Sequence, residues 1–167
     1  MVNKRICLVC LTLFLSVILM SCSGEEDFTS CPEDDPFCFE RQELLWSGIS
    51  KKDMDWETSV EYCKEMGGRL PDFTEVRLLL RKCPDAQLEF SCPVRSDCLS
   101  LSCWENGCAG CIWDSSGVYS HFHDSERLWT FSEDSEDNDY AWSINFVNSY
   151  VGNMKKSELN YVRCVRD

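Results

Sequence analysis

The sequence predicts a single α+β domain: two helices first, antiparallel strands later, and a disulfide-rich loop between them. Three observations carry this. Apolar residues recur at helical spacing after Trp56 and again after Phe73. They switch to alternation in Tyr140–Val147 and in Tyr161–Arg166. Six cysteines fall in the 29 residues from Cys83 to Cys111, among Gly, Ser and Asn, a pattern too irregular for long helices or strands. With 167 residues, 44% of them hydrophobic, the chain can form one core.

Taken in order, Glu43 to Ser47 reads as a first strand. Asp55 can then accept the unpaired amide hydrogens of a helix over Trp56–Met66. Trp56, Val60, Cys63 and Met66 fall on one face of it. Gly67-Gly68 supplies the left-handed residue that stops it. Asp72 and Glu75 have capping-box spacing before a second helix over Phe73–Lys82, with Val76, Leu79 and Leu80 as its apolar stripe and Pro84 ending it. Leu128–Phe131 reads as a short strand. In Tyr140–Val147, Tyr140, Trp142, Ile144 and Phe146 share one face, and Ala141, Ser143, Asn145 and Val147 the other. The alternation of Tyr161–Arg166 places Val162 and Cys164 together.

The N-terminus is of a different kind. Lys4 and Arg5 precede Ile6–Met20, fifteen residues that are all apolar or small. A stable membrane span needs about 20 such residues, so this run suits a signal peptide. It ends in Leu19-Met20-Ser21-Cys22, which resembles the lipobox of bacterial lipoproteins. The resemblance implies cleavage after residue 21, a diacylglycerol on the Cys22 thiol and an acyl chain, typically palmitate, on the new amine. Ser23 in place of Asp, read against sorting in enteric bacteria, implies the outer membrane or cell surface. Residues 22–40, acidic and rich in Ser and Pro, read as a tether, and residues 41–167 as the domain. A local Cys31–Cys38 bridge would staple the end of the tether.

Charge excludes one class of partner. The chain has 16 Lys+Arg against 29 Asp+Glu, a net of −13. Without Lys4 and Arg5 the mature chain has 14 against 29, a net of −15. Such a surface repels the phosphates of nucleic acid. Of 13 cysteines, Cys7 and Cys10 lie in the leader and Cys22 is the lipid site. Ten remain, namely Cys31, Cys38, Cys63, Cys83, Cys92, Cys98, Cys103, Cys108, Cys111 and Cys164, an even number suited to disulfides in an oxidising compartment.

Six pieces of the sequence, in order, carry a family resemblance. They are Trp56 with Tyr62-Cys63, Gly67-Gly68-Arg69-Leu70-Pro71, Glu75-Val76-Arg77-Leu78-Leu79, Trp129-Thr130-Phe131-Ser132, Ala141-Trp142-Ser143-Ile144-Asn145-Phe146, and Tyr161-Val162-Arg163-Cys164-Val165-Arg166. Together they resemble the domain at the C-terminus of the bacterial collagen-like adhesin, the Lcl C-terminal domain family, over about Leu44 to Asp167. The resemblance implies a C-type-lectin-like fold, related to that of the formylglycine-generating enzyme, on an exported and often lipid-anchored protein. It also implies a bridge between Cys63 and Cys164. The named adhesin binds sulfated glycosaminoglycans. This chain departs from the family at Asp72, where Thr is usual, and at Thr130-Phe131, which interrupts a Ser run. It departs most in charge, since only Lys155, Lys156, Arg163 and Arg166 cluster near its end.

Other residues are weighed for chemistry. Cys103, Cys108 and Cys111 with His121 and His123 are zinc-ligand types, but in an exported chain disulfides explain the cysteines better, and no metal site is assigned. Asp134, Asp137 and Asp139 crowd one loop with the oxygen donors calcium favours, yet the run lacks the EF-hand glycine and closing Glu, and it reads more readily as a solvated acidic loop. Trp104 and Trp113 lie in the cysteine-rich loop, where they could stack on a sugar or enter a protein interface, or pack in the core. No nucleophile elbow or His-Glu-x-x-His motif occurs, so no catalytic residue is assigned. The expectation is a non-enzymatic surface lipoprotein, anchored to membrane by lipid, whose domain binds an extracellular glycan or protein as an adhesin does. An envelope enzyme or maturation factor on the related fold, and a purely structural envelope component, are the alternatives.

Overall fold

The computed structural model describes residues 37–41, 43–81 and 92–167. The stretch read as a signal peptide, Cys22, Cys31, Cys83 and most of the stretch read as a tether lie outside the described residues.

Among the described residues six strands and two helices follow in order: β1 (Phe37–Arg41), β2 (Leu44–Ser47), α1 (Trp56–Glu65), α2 (Phe73–Arg77), β3 (Arg127–Glu133), β4 (Tyr140–Asn145), β5 (Tyr150–Lys155) and β6 (Val165–Arg166). Single 3-10 turns at Leu101–Cys103 and Asn106–Cys108 interrupt the long loop before β3. The strands form two antiparallel sheets, ordered β1-β2-β6 and β3-β4-β5. The fold is α+β, with helices and strands segregated along the chain.

β1 takes up the last residues of the stretch read from sequence as tether. Phe39 pairs opposite Trp46, and its ring lies 5.7 Å from that of Phe122, so apolar contact draws the segment onto the domain. β5 had no clear alternation to announce it, because Gly152 and Asn153 sit at its centre. Its full register with β4, from Tyr140↔Lys155 to Asn145↔Tyr150, makes it a strand.

α1 forms for the local reasons its sequence states. Asp55 accepts the Thr58 amide at 2.8 Å. At the other end Gly67 has φ +79°, and the amides of Gly67 and Gly68 close on the carbonyls of Lys64 and Cys63, a Schellman stop. The buried face holds Trp56, Ser59 and Cys63; Val60 and Met66 are only half-buried. Ser59 fits there because its hydroxyl donates back to the Asp55 carbonyl.

α2 begins with the full capping box of Asp72 and Glu75 but ends at Arg77, five residues short of the helix that the stripe predicts. Tertiary pairing ends it. The Arg81 amide donates to Tyr119 O and the His121 amide to Leu79 O, so the chain after Leu79 runs extended beside residues 119–121. Leu79 stays fully buried in this different backbone.

The β3-β4-β5 sheet separates two apolar clusters. On one side Leu128, Trp142, Ile144 and Val151 pack with Phe73, Val76 and Leu79. On the other, Trp129 and Ala141 pack with Trp56, Cys63, Val162 and Cys164. The two faces read from the alternation of β4 are therefore both buried, each against a different helix. Four tryptophan N–H groups are satisfied by distant carbonyls: Trp56 by Thr130, Trp129 by Met54, Trp142 by Leu99 and Trp104 by Val151, at 2.8–3.1 Å.

A disulfide joins Cys63 on α1 to Cys164 beside β6, with a sequence separation of 101. In the loop-entropy account, closing about 100 residues is worth roughly 4–5 kcal/mol. Next to it lies a buried ion pair. Arg163, 1% exposed, donates from Nε and Nη2 to both carboxylate oxygens of Asp124 at 2.6–3.1 Å and from Nη1 to Ser47 O at 2.7 Å. The Ser120 hydroxyl donates to the same carboxylate, and the Phe122 ring centroid lies 4.9 Å from the guanidinium carbon. This corrects the terminal cation cluster: Arg163 is an interior residue. Lys156 is also committed, to Glu133 and to the face of Trp56.

Two predictions follow from these contacts. Asp124→Asn and Arg163→Met each strand one buried partner and should cost about 3–5 kcal/mol of unfolding free energy, whereas the double variant D124L/R163M should cost clearly less than their sum; urea denaturation checks both. Burial resists ionisation of Glu75, but the Arg69 guanidinium and the Asp72 amide outweigh it and hold the carboxyl below its ordinary 4.5. A carboxyl depressed in the folded state adds stability that is complete above the unfolded value and lost as pH falls through the folded one. Thermal melts should therefore drop on acidification below pH 4.5, and Glu75→Gln should remove part of that drop.

Candidate functional site

The long loop before β3 is held down at many points. Arg77 of α2 donates to Val94 O at 2.6 Å and to Cys92 O at 2.9 Å, fixing the loop's first described residues. Cys92 is bonded to Cys108 and Cys98 to Cys103; Cys38 and Cys111 are disulfide-bonded as well. The Leu99 carbonyl accepts both the Trp142 indole and the Ser135 amide.

From Gly110 the loop lies against the β4–β5 turn. Gly110 has φ +80°, and a Cβ there would overlap Asn148 O, so only glycine allows the approach. The Cys111 amide donates to Asn148 O at 2.6 Å and the Asp114 amide to Val147 O at 2.7 Å. The Tyr119 hydroxyl donates to Ile112 O at 2.8 Å. The backbone of residues 111–114 is thus tied inward, and two side chains point the other way. Ile112 is 75% exposed and Trp113 68%. Beyond them, Asp114 closes an Asx turn on the Ser116 amide at 2.8 Å. The Ser116 hydroxyl and amide hold the Asp114 carboxyl below its ordinary value.

This tip is where the structure and the sequence-derived candidates meet. Trp113 is on it; Trp104 is not. Trp104 is half-buried, hydrogen-bonded to Val151 O and 6.1 Å from the Tyr150 ring, a packing residue. Ile112 escaped the sequence reading because a lone aliphatic among cysteines has no periodicity to assign it to a face.

The acidic loop does not assemble a cage. Asp134 is 2% exposed, accepting from the Asn153 amide at 2.6 Å and from the Glu136 N–H at 2.9 Å. Asp137 accepts from the Asp139 N–H at 3.0 Å. Their oxygens are turn-forming acceptors. Asp139 lines a separate open cleft of about 420 Å³ with Lys155 and Lys156. Among the described residues no three His, Cys, Asp or Glu side chains converge to hold a metal ion. Cys103, Cys108 and Cys111 are all in disulfides, which leaves no thiolate for zinc.

A scan against protein-family models gives no match, and a search of curated proteins gives none either. Among solved structures, the crystal structure of the mouse CD72a CTLD is similar to this chain, with a TM-score of 0.42 and 17% identity over 83% of this chain and 94% of that one. The likeness concerns the fold alone.

The two loop tryptophans should separate cleanly on mutation. Trp104→Ala should cost about 2–4 kcal/mol through lost packing and a stranded carbonyl, and Trp113→Ala less than about 0.5 kcal/mol. Chemical denaturation of both variants is the measurement.

Proposed function

We propose that this chain is a lipid-anchored protein of the bacterial envelope, whose domain is a non-enzymatic binding module of the Lcl C-terminal type that meets its partner through the Ile112–Trp113 tip. The single observation behind the reading is that tip: two adjacent large apolar side chains, exposed on a loop whose backbone is bonded inward on both sides of them. Folding gains nothing by exposing them, and exposed aromatics on a fixed loop are the usual anchors of recognition. The leader and its lipobox support the anchor.

The chemistry of the tip limits its partner. From Ser96 to Glu126 there is no Lys or Arg, while Asp97, Glu105 and Asp114 are present. Sulfated glycosaminoglycans, the ligand of the adhesin that the sequence resembles, need clustered cations, so we do not extend that ligand to this loop. All eight cysteines of the described residues are in disulfides, which withdraws support from a thiol enzyme on this fold.

The test has two parts. Metabolic labelling with palmitate should mark the chain, and Cys22→Ala should abolish both label and membrane retention. On an array of glycans, extracellular-matrix proteins and lipid vesicles, Trp113→Ala should weaken whichever partner the native chain binds at least tenfold with no change in melting temperature. Binding that survives the substitution, or a turnover that depends on one side chain, would refute the reading.

A further inference from the structure

We infer that the surface the tip enters is a lipid bilayer, with Ile112 and Trp113 seated in the headgroup region of the membrane that carries the anchor. This rests on the anchored reading above and names the partner of the same site.

Four observations bear on it. First, side chains that are 75% and 68% exposed protrude; they fill another body and do not line a cleft of their own. Second, the pair suits a bilayer boundary. Tryptophan favours the interface, with its ring among the headgroups and its N–H still wet, and isoleucine prefers the acyl side. Third, the reach is sufficient. Residues 23–36, fully extended, span at most about 50 Å, and a domain of this size is roughly 35–40 Å across. A linker this short keeps the domain close to the membrane its anchor occupies. Fourth, charge selects the lipid. With no Lys or Arg between Ser96 and Glu126, the loop has nothing to attract anionic headgroups, so the favoured surface is zwitterionic.

Two side chains are a weak membrane signal on their own. Tethering changes that, because the anchor holds the tip at an effective concentration in the millimolar range, where a weak contact is populated. The consequence is orientation. With the tip seated, the domain lies against the bilayer with one defined side outward, instead of swinging on its tether.

Trp113 is the one exposed tryptophan of six, all of which are among the described residues, so it reports on itself. The full-length chain, expressed with its leader and purified from membranes, would be reconstituted into phosphatidylcholine vesicles with or without brominated acyl chains. Flotation and the acyl mass on Cys22 test the anchor. Quenching of tryptophan fluorescence by the brominated lipid tests the tip. The native chain should be quenched, Trp113→Phe should lose most of the quenching while still floating, and Ile112→Asp should reduce it at least twofold. Equal quenching in native chain and W113F, or none in either, with flotation intact, overturns the inference and leaves the anchor standing; retention of a glycan or protein by the tip in the same vesicles would also overturn it. If the chain carries no acyl group the anchored reading fails, and quenching measured at millimolar lipid still decides the tip: loss in W113F supports it, and absence in the native chain refutes it.

Discussion

The guanidinium of Arg163 is the point on which the tertiary structure turns. It joins three stretches far apart in sequence: β2 through Ser47 O, the segment before β3 through Asp124, and the C-terminal run that carries it. The Ser47 hydroxyl accepts the Cys164 amide, and the Ser47 amide donates to Cys164 O, so the ion pair, the sheet and the Cys63–Cys164 bond form one unit. A buried charge this costly to desolvate persists only with its partners in place. The arrangement therefore admits one register of β2 and the C-terminal run against the core.

Around that unit the domain is stiff where the sheet separates its two clusters, and stapled where it has no sheet. The long loop cannot bury enough of itself to be stable alone. Disulfides, the Arg77 contacts to Val94 and Cys92, and tryptophan N–H bonds to distant carbonyls take the place of regular structure. This rigidity makes the exposed pair at 112–113 notable. A floppy loop would fold two such side chains back onto the protein, whereas a clamped one holds them in water until a partner arrives.

Much of the fold could be read from the chain because its causes are local. Asp55, the Gly67-Gly68 stop and the Asp72–Glu75 box act within a few residues, so spacing alone reveals them. Alternation in β4 sorted its side chains correctly between two faces; that both faces are buried followed from the packing of a helix on each. What was missed has non-local causes. α2 stops early because residues 119–121 pair with the chain after it. β5 exists because β4 lies beside it. Arg163 looked like a surface cation because its partner Asp124 lies 39 residues earlier, too far for any local spacing to announce it.

The sequence by itself determined the caps and the helix and strand periods, since these depend on neighbours along the chain. Only the tertiary structure decided which of two loop tryptophans is core and which is surface, which carboxylates are turn acceptors, and where a lone arginine belongs. Each of those depends on what another part of the chain brings within hydrogen-bond distance, and linear order does not encode that distance.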